Sequence, residues 1–222
     1  MNCPYQGYHK QCILPFCTAN QEPVAVSTQS KKAGSLGYVR IIAGRWRGRR
    51  LFFPEVSGLR PTGDRVRETL FNWLMPELVG ARCLDLFAGS GALGFEAASR
   101  GASAVIMIEQ NHTAYQALLK HHTDLSASNT VDIIHQDALD WLAENNAAGH
   151  VFDIVFLDPP FSSELLATAV KALKDGNWLA PNALIYCEWT VDQSLMPIQD
   201  GAWQLYRQRE FGAVHTRLYR SQ

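Results

Sequence analysis

Asp85-Leu86-Phe87-Ala88-Gly89-Ser90-Gly91-Ala92-Leu93-Gly94 lies where an apolar run, Arg82–Phe87, gives way to a helical stretch, Ala92–Ser99, ended by Gly101. Glycines at a strand-to-helix junction permit a tight turn and let a ligand approach the backbone. Gly89, Gly91 and Gly94 satisfy G-x-G-x-x-G, with Glu109 twenty positions after Gly89, so the glycines alone fit a dinucleotide fingerprint equally well. Asp85 tilts the choice. A carboxylate just ahead of the loop can accept from an amino-acid ammonium, whereas it would repel a pyrophosphate seated at that turn. This role outweighs that of a merely turn-stabilising aspartate. Glu109, at the next strand's end, can accept from both hydroxyls of a ribose. A solvent-facing strand end competes as its explanation.

On either side of the loop, strands and helices alternate. Tyr38–Ile42 and Arg50–Phe53 read as two short strands around an arginine-rich turn. Pro61-Thr62-Gly63-Asp64 supplies a turn and a capping residue. Val66, Leu70, Phe71 and Leu74 then form an apolar helical stripe stopped by Pro76. Beyond the loop, strands are expected at Ala104–Glu109, Val131–His135, Phe152–Asp158 and Ala183–Trp189. Helices at Thr113–Leu125, Ala138–Glu144 and Glu164–Leu173 separate them. Strands that are apolar on both faces, each followed by a helix, imply a parallel sheet covered on two sides. Trp203–Phe211 and Val214–Tyr219, joined through Gly212, read instead as an antiparallel hairpin. The expected fold is α/β and Rossmann-like, with a mostly parallel seven-stranded sheet. Such an ending is similar to that of class I methyltransferases. The expected organisation is a flexible tail over 1–36, a basic β-hairpin over 37–60 and the α/β body over 61–222.

The chain has 222 residues, 47% hydrophobic and 18% charged, with a net charge of −1. That is enough for one sizeable core and excludes wholesale disorder. No apolar run approaches the roughly 18 to 20 residues of a membrane helix, which points to a soluble protein. Cys3, Cys12, Cys17, Cys83 and Cys187 are odd in number and irregular in spacing, and the last two fall in strand-like apolar runs. A reducing cytoplasm therefore fits better than a disulfide framework. His9, Cys12 and Cys17 lack a second pair at finger spacing, so no metal is expected.

Near-neutrality hides an uneven distribution. Lys31 to Arg67 holds ten basic residues and two acids, a balance of +8, while Glu68 to the end balances at −9. A basic element joined to an acidic body suggests a polyanion partner. Arg45-Trp46-Arg47-Gly48-Arg49-Arg50 adds an aromatic ring and a flexible glycine to the charge, which favours nucleic acid over a solvated basic surface.

Asp158-Pro159-Pro160-Phe161 directly follows the fourth expected strand of the body. Two prolines remove two backbone donors and lock an extended turn. The preceding carbonyls and the Asp158 side chain remain as acceptors. Acceptors beside an aromatic ring suit a planar group with an exocyclic amine, the amine donating while Phe161 stacks on its face. A strand-ending Pro-Pro turn explains less, because this carboxyl end should neighbour that of the glycine-loop strand, where ligands bind. After the third strand, Asp137 fits two roles about equally, accepting from an adenine amine or capping the short helix that follows.

Together these stretches resemble the bacterial 16S rRNA guanine-N2 methyltransferases of the RsmD type. The likeness runs from about Val39 to the end, through Arg40–Gly48, Leu59–Asn72, the Asp85 loop and Asp158–Phe161. The block Arg60–Asn72 is the most family-specific of these, and the Asp-Pro-Pro-Phe tetrapeptide is shared more widely among amine methylases acting on DNA or RNA. The resemblance implies S-adenosyl-L-methionine as donor and a guanine N2 of small-subunit rRNA, within the subunit, as acceptor. It also implies a monomer. Asp85, Gly89 and Gly91 would line the methionine end of the donor, with Phe87 and Ser90 of the same loop, and Thr62 and the Arg65–Glu68 helix start would lie nearby. Glu109 would hold the ribose and Asp137 the adenine. Asp158, Pro159 and Phe161 would hold the target base, and Arg40, Arg45, Arg47, Arg49 and Arg50 would grip rRNA. The cysteine-containing tail has no counterpart. Three other readings stay open: a DNA adenine or cytosine amino-methyltransferase, an NAD-dependent dehydrogenase on the same glycine loop, and a non-catalytic RNA-binding assembly factor.

Overall fold

The computed structural model describes residues 36–54, 62–145, 149–160, 163–190 and 203–222. The tail expected over 1–36, apart from its last residue, and the predicted base-stacking Phe161 lie outside the described residues. The chain forms β1 (Leu36–Arg40), β2 (Arg50–Pro54), α1 (Asp64–Leu78), β3 (Arg82–Asp85), α2 (Ala92–Ser99), β4 (Ala104–Ile108) and α3 (His112–Asp124). Then follow β5 (Val131–Ile134), α4 (Ala138–Asn145), β6 (Phe152–Leu157), α5 (Ser163–Asp175), β7 (Leu179–Thr190), β8 (Trp203–Phe211) and β9 (Val214–Ser221).

Seven strands form one sheet in the order β5-β4-β3-β6-β7-β9-β8, parallel except for β9, which runs antiparallel to both β7 and β8. The chain starts at β3, steps outward to β4 and β5, then returns to the other side of β3 as β6. The carboxyl ends of β4, β3 and β6 thus meet at the switch point, where open α/β sheets bind ligands. Period-two alternation sends neighbouring strand residues to opposite layers. Cys83, Ile154, Phe156 and Leu184 pack with α1, α2, α3 and the hairpin. Leu84, Val155, Leu157 and Ile185 pack with α4 and α5. Burial on both faces explains why these strands read as unbroken apolar runs.

Three local expectations needed correction. Pro76 does not stop α1, which continues to Leu78. The proline forfeits a bond to the Asn72 carbonyl, but both residues face solvent, and the buried Leu78 holds the last turn in the core. At the other end, the residue at the N-cap is Gly63 and makes no side-chain cap bond. Thr62 spends its hydroxyl on another element, described below. Finally, β7 begins at Leu179 rather than Ala183, pairing Leu179 with Phe152 across a bulge before Ile154.

The β1–β2 ribbon pairs Tyr38 with Phe52 and Arg40 with Arg50. Its inner residues Val39, Leu51 and Phe53 enter the same core as Phe95 of α2. The turn between the strands is fastened to the end of α2: Arg45 N donates to the Ser99 carbonyl at 2.8 Å, and Trp46 N donates to Ser99 Oγ at 3.0 Å. Gly44 makes this approach possible. Its φ is +82°, and a Cβ there would fall 1.9 Å from the Ser99 carbonyl oxygen.

Candidate active site

The crevice at the switch point is built around three carboxylates. Asp85 ends β3 with only 2% of its surface exposed, and its Oδ2 accepts from Gly94 N at 2.9 Å. The Phe87 backbone N–H also donates to it. The aspartate therefore does stabilise the turn, the role that weighed less in the sequence. Glu109 is buried rather than solvent-facing, and its Oε2 accepts from Gly89 N at 2.8 Å while Oε1 accepts from Asn111 N at 2.6 Å. Each carboxylate oxygen has two lone pairs, so both residues keep acceptor capacity toward a ligand. Gly91 caps α2 with φ +76°, and a Cβ there would strike the Phe95 and Leu118 side chains at 2.6 and 2.7 Å. Ser90 is buried in the loop, and Phe87 is half-buried beside it.

Asp158 follows β6, and Thr62 Oγ1 donates to its Oδ2 at 2.9 Å. This bond links residues 96 apart in sequence and joins the segment ahead of α1 to the crevice. Pro159 is half-buried and Pro160 exposed. Asp137 caps α4, its Oδ1 accepting from Leu139 N at 2.8 Å and Asp140 N at 3.2 Å. The capping half of its two expected roles is therefore present.

Burial is the main cause that pushes the Asp85 carboxyl up to about 7. The Gly94 N–H pulls it down, and the charges of Asp158 and Glu109 raise it further. Burial also raises Asp158, against the opposing hydrogen bond from Thr62. Three acids sharing one crevice suit a cationic ligand and disfavour a pyrophosphate. S-adenosyl-L-methionine, with its sulfonium and ammonium, fits this donor set. Below about pH 7 the folded protein holds a proton on Asp85 that the unfolded chain releases near its ordinary value of 3.8. Stability without ligand therefore falls as pH rises through that window. If Asp85 receives the donor's ammonium, as the sequence suggests, ligand binding should have the opposite dependence, since an ammonium needs Asp85 ionised. Affinity for S-adenosylmethionine should rise between about pH 5.5 and pH 7, by up to roughly tenfold per unit. Calorimetry near pH 6 in buffers of different ionisation enthalpy should detect proton release. Asp85→Asn should flatten the profile, and a flat wild-type profile would contradict the assignment.

In the basic arm, Arg40, Arg45, Arg47, Arg49 and Arg50 are all exposed. Arg45 lies over the Trp46 ring at 4.1 Å and reaches Thr130 Oγ1 at 3.0 Å, while Arg49 donates to the Asp124 carbonyl at 3.0 Å. Trp46 does not join them at the surface. It is 9% exposed and packs edge-on against Phe95 at 6.3 Å. The aromatic counted with the arginines is thus an anchor.

One buried ionic residue, Glu96, went unread in the sequence, and another, Arg67, was counted with the basic element although it is buried and faces no polyanion. Glu96 of α2 is fully buried and accepts from Ile42 N at 2.7 Å, Ala43 N at 3.0 Å and Arg100 Nε at 2.6 Å. Arg67 of α1 is also fully buried. Its Nε and Nη2 donate to the carbonyls of Thr62 and Arg40, Nη2 also pairs with Asp64 Oδ1 at 2.6 Å, and Nη1 lies 3.7 Å from Glu96. An acid inside the apolar run Phe95–Ala98, four residues before Arg100, was the available signal.

The family described as Conserved hypothetical protein 95 matches residues 39–220. Ribosomal RNA small subunit methyltransferase D of Escherichia coli K12 is 48% identical over 183 residues, 82% of this chain and 90% of that protein. The protein of the same name from Haemophilus influenzae is 48% identical over 186 residues, 83% of this chain and 95% of the other. Among solved structures, yhhF from Escherichia coli superposes with a TM-score of 0.75 at 44% identity, covering 84% of this chain and 99% of its own. The fold is that of class I S-adenosylmethionine-dependent methyltransferases.

Proposed function

The chain belongs to the Conserved hypothetical protein 95 family, and from that premise we propose that it methylates the exocyclic N2 of a guanine in 16S rRNA, using S-adenosyl-L-methionine and acting on the small ribosomal subunit in the cytoplasm. The observation that carries this most directly is the crevice itself, where Asp85, Glu109 and Asp158 face one another across three adjacent strand ends. The donor supplies an already electrophilic methyl. The residues need only orient an amine toward it and accept its hydrogens, and positioning of this kind supplies most of the rate. Asp158, fixed by Thr62, is the acceptor nearest the role, with Pro159 and Phe161 shaping the base site. Asp85 with Phe87, Gly89, Ser90 and Gly91 holds the amino-acid end of the donor. Glu109 holds the ribose and Asp137 the adenine. The segment 37–60 grips rRNA and 61–222 carries catalysis, in a monomer. Among the described residues no helix is long and apolar enough to cross a membrane, and no cluster of metal-binding side chains occurs.

Mass spectrometry of rRNA nucleosides from a strain lacking the gene should reveal loss of one N2-methylguanosine in 16S rRNA, restored by the purified protein on subunits from that strain. Persistence of the modification would refute the assignment. In binding assays, Arg47→Glu with Arg49→Glu should weaken subunit affinity without unfolding the protein, and should lower the salt slope by about one to two. Unchanged affinity across a salt titration would remove the arm from the interface.

A further inference from the structure

We infer that the outer face of the β1–β2 ribbon is a stacking platform for unpaired rRNA bases. The inference rests on the rRNA reading above and adds a second mode of contact to it. Alternation along the ribbon puts Val39, Leu51 and Phe53 inward and Tyr38, Arg40, Arg50 and Phe52 outward. Tyr38 and Phe52 are cross-strand partners with ring centroids 6.0 Å apart, and they remain 49% and 46% exposed. Two aromatic rings side by side in water are poorly explained by folding, since the ribbon's apolar face is already buried on the other side.

Charge identifies the occupant. Arg40 stands directly opposite Arg50, and among the described residues neither pairs with a carboxylate. Like charges facing across a ribbon destabilise it unless an anion sits between or above them. The Arg50 guanidinium lies 4.8 Å over the Tyr38 ring, so cation and ring form one surface. At the edge of β2 next to Phe52, between that strand and α3, lies a cleft of about 290 Å³ lined by Arg49, Arg50, Lys120, His121 and Asp124. Aromatic faces next to a cationic track are what single-stranded nucleic acid requires: bases stack on the rings while phosphates follow the charges. The platform is held in place from behind, where His121 Nε2 donates to the Phe52 carbonyl at 2.7 Å.

The test replaces both rings by leucine, Tyr38→Leu with Phe52→Leu, which preserves apolar bulk at exposed sites. Affinity for small subunits lacking the modification, and for a mixed-sequence single-stranded RNA oligonucleotide, should fall roughly tenfold to hundredfold. The salt slope, the melting temperature and the affinity for S-adenosylmethionine should stay unchanged. Arg40→Gln with Arg50→Gln should instead reduce the salt slope by about one to two. Ultraviolet cross-linking of the unmodified protein to subunits should leave a nucleotide on the peptide bearing Tyr38 or Phe52. Wild-type affinity of the leucine variant for both partners would overturn the platform while leaving the rRNA assignment standing. Loss toward subunits with full retention toward RNA would overturn it in favour of a ribosomal protein. A wild-type enzyme that neither bound nor methylated subunits would remove the parent assignment and this inference together.

Discussion

Asp158→Ala should abolish methyl transfer to small subunits, by at least about a hundredfold, while calorimetric binding of S-adenosylmethionine persists. Asp158 is the side-chain acceptor that follows β6, and Thr62 occupies its Oδ2 with a 2.9 Å bond. That bond fixes the rotamer and leaves Oδ1 to receive an amine hydrogen. The two prolines that follow contribute no N–H to compete for it. Burial raises the carboxyl, so a proton taken from the amine during transfer would find a receptive group. Asp158→Asn separates the two services. If the residue only positions the amine, asparagine should retain a measurable fraction of activity through its carbonyl oxygen. If it takes the proton, asparagine should be as inactive as alanine. Normal methylation by the alanine variant would mean that the base binds elsewhere.

Glu96→Ala should produce the largest loss of stability. The carboxylate satisfies two backbone donors of the hairpin turn and the Arg100 guanidinium, and faces Arg67 at 3.7 Å. Arg67 Nη1 is buried without a hydrogen bond and faces Glu96, while Nη2 pairs with Asp64 at 2.6 Å, so the two carboxylates together offset the burial of the guanidinium. Removing one member of a buried ionic group leaves the others uncompensated, at a cost of about 3–5 kcal/mol. For a chain of this size that lowers the melting temperature on the order of 10 °C. Glu96→Gln should fall between, because its one carbonyl oxygen can still accept while its NH2 group is turned against a backbone donor of the turn and the charge is lost. A melting temperature for Glu96→Ala within about 2 °C of wild type would show the network to be incidental.

The parallel sheet was legible because strands covered on both faces carry unbroken apolar runs, and the crevice was legible because its residues sit at strand ends beside glycines or prolines. What escaped the sequence depended on partners far along the chain. An aromatic in a basic turn can point either way, and Trp46 points inward because Phe95 and Ser99 of α2 receive it. The outward pair, Tyr38 and Phe52, could have been found from the alternation of Tyr38-Val39-Arg40 against Leu51-Phe52-Phe53, had the inner face been known. Glu96 announces itself by composition, but its relation to Arg67 and Ile42 is tertiary. Asp137 was balanced between two roles, and the hydrogen bonds at the start of α4 establish the helix cap. The expectation that Pro76 ends α1 failed because local propensity yields to a buried residue two positions on.

Helix α2 starts at the glycine loop and finishes under the hairpin turn, with Glu96 and Ser99 clamping that turn. Its eight residues make a strut of about 12 Å. The basic arm and the glycine-loop crevice are therefore fastened to opposite ends of one short helix. On the roles proposed for the arm and the crevice, an RNA would have to match that fixed spacing to engage both, and the choice of guanine would depend on length as well as on sequence.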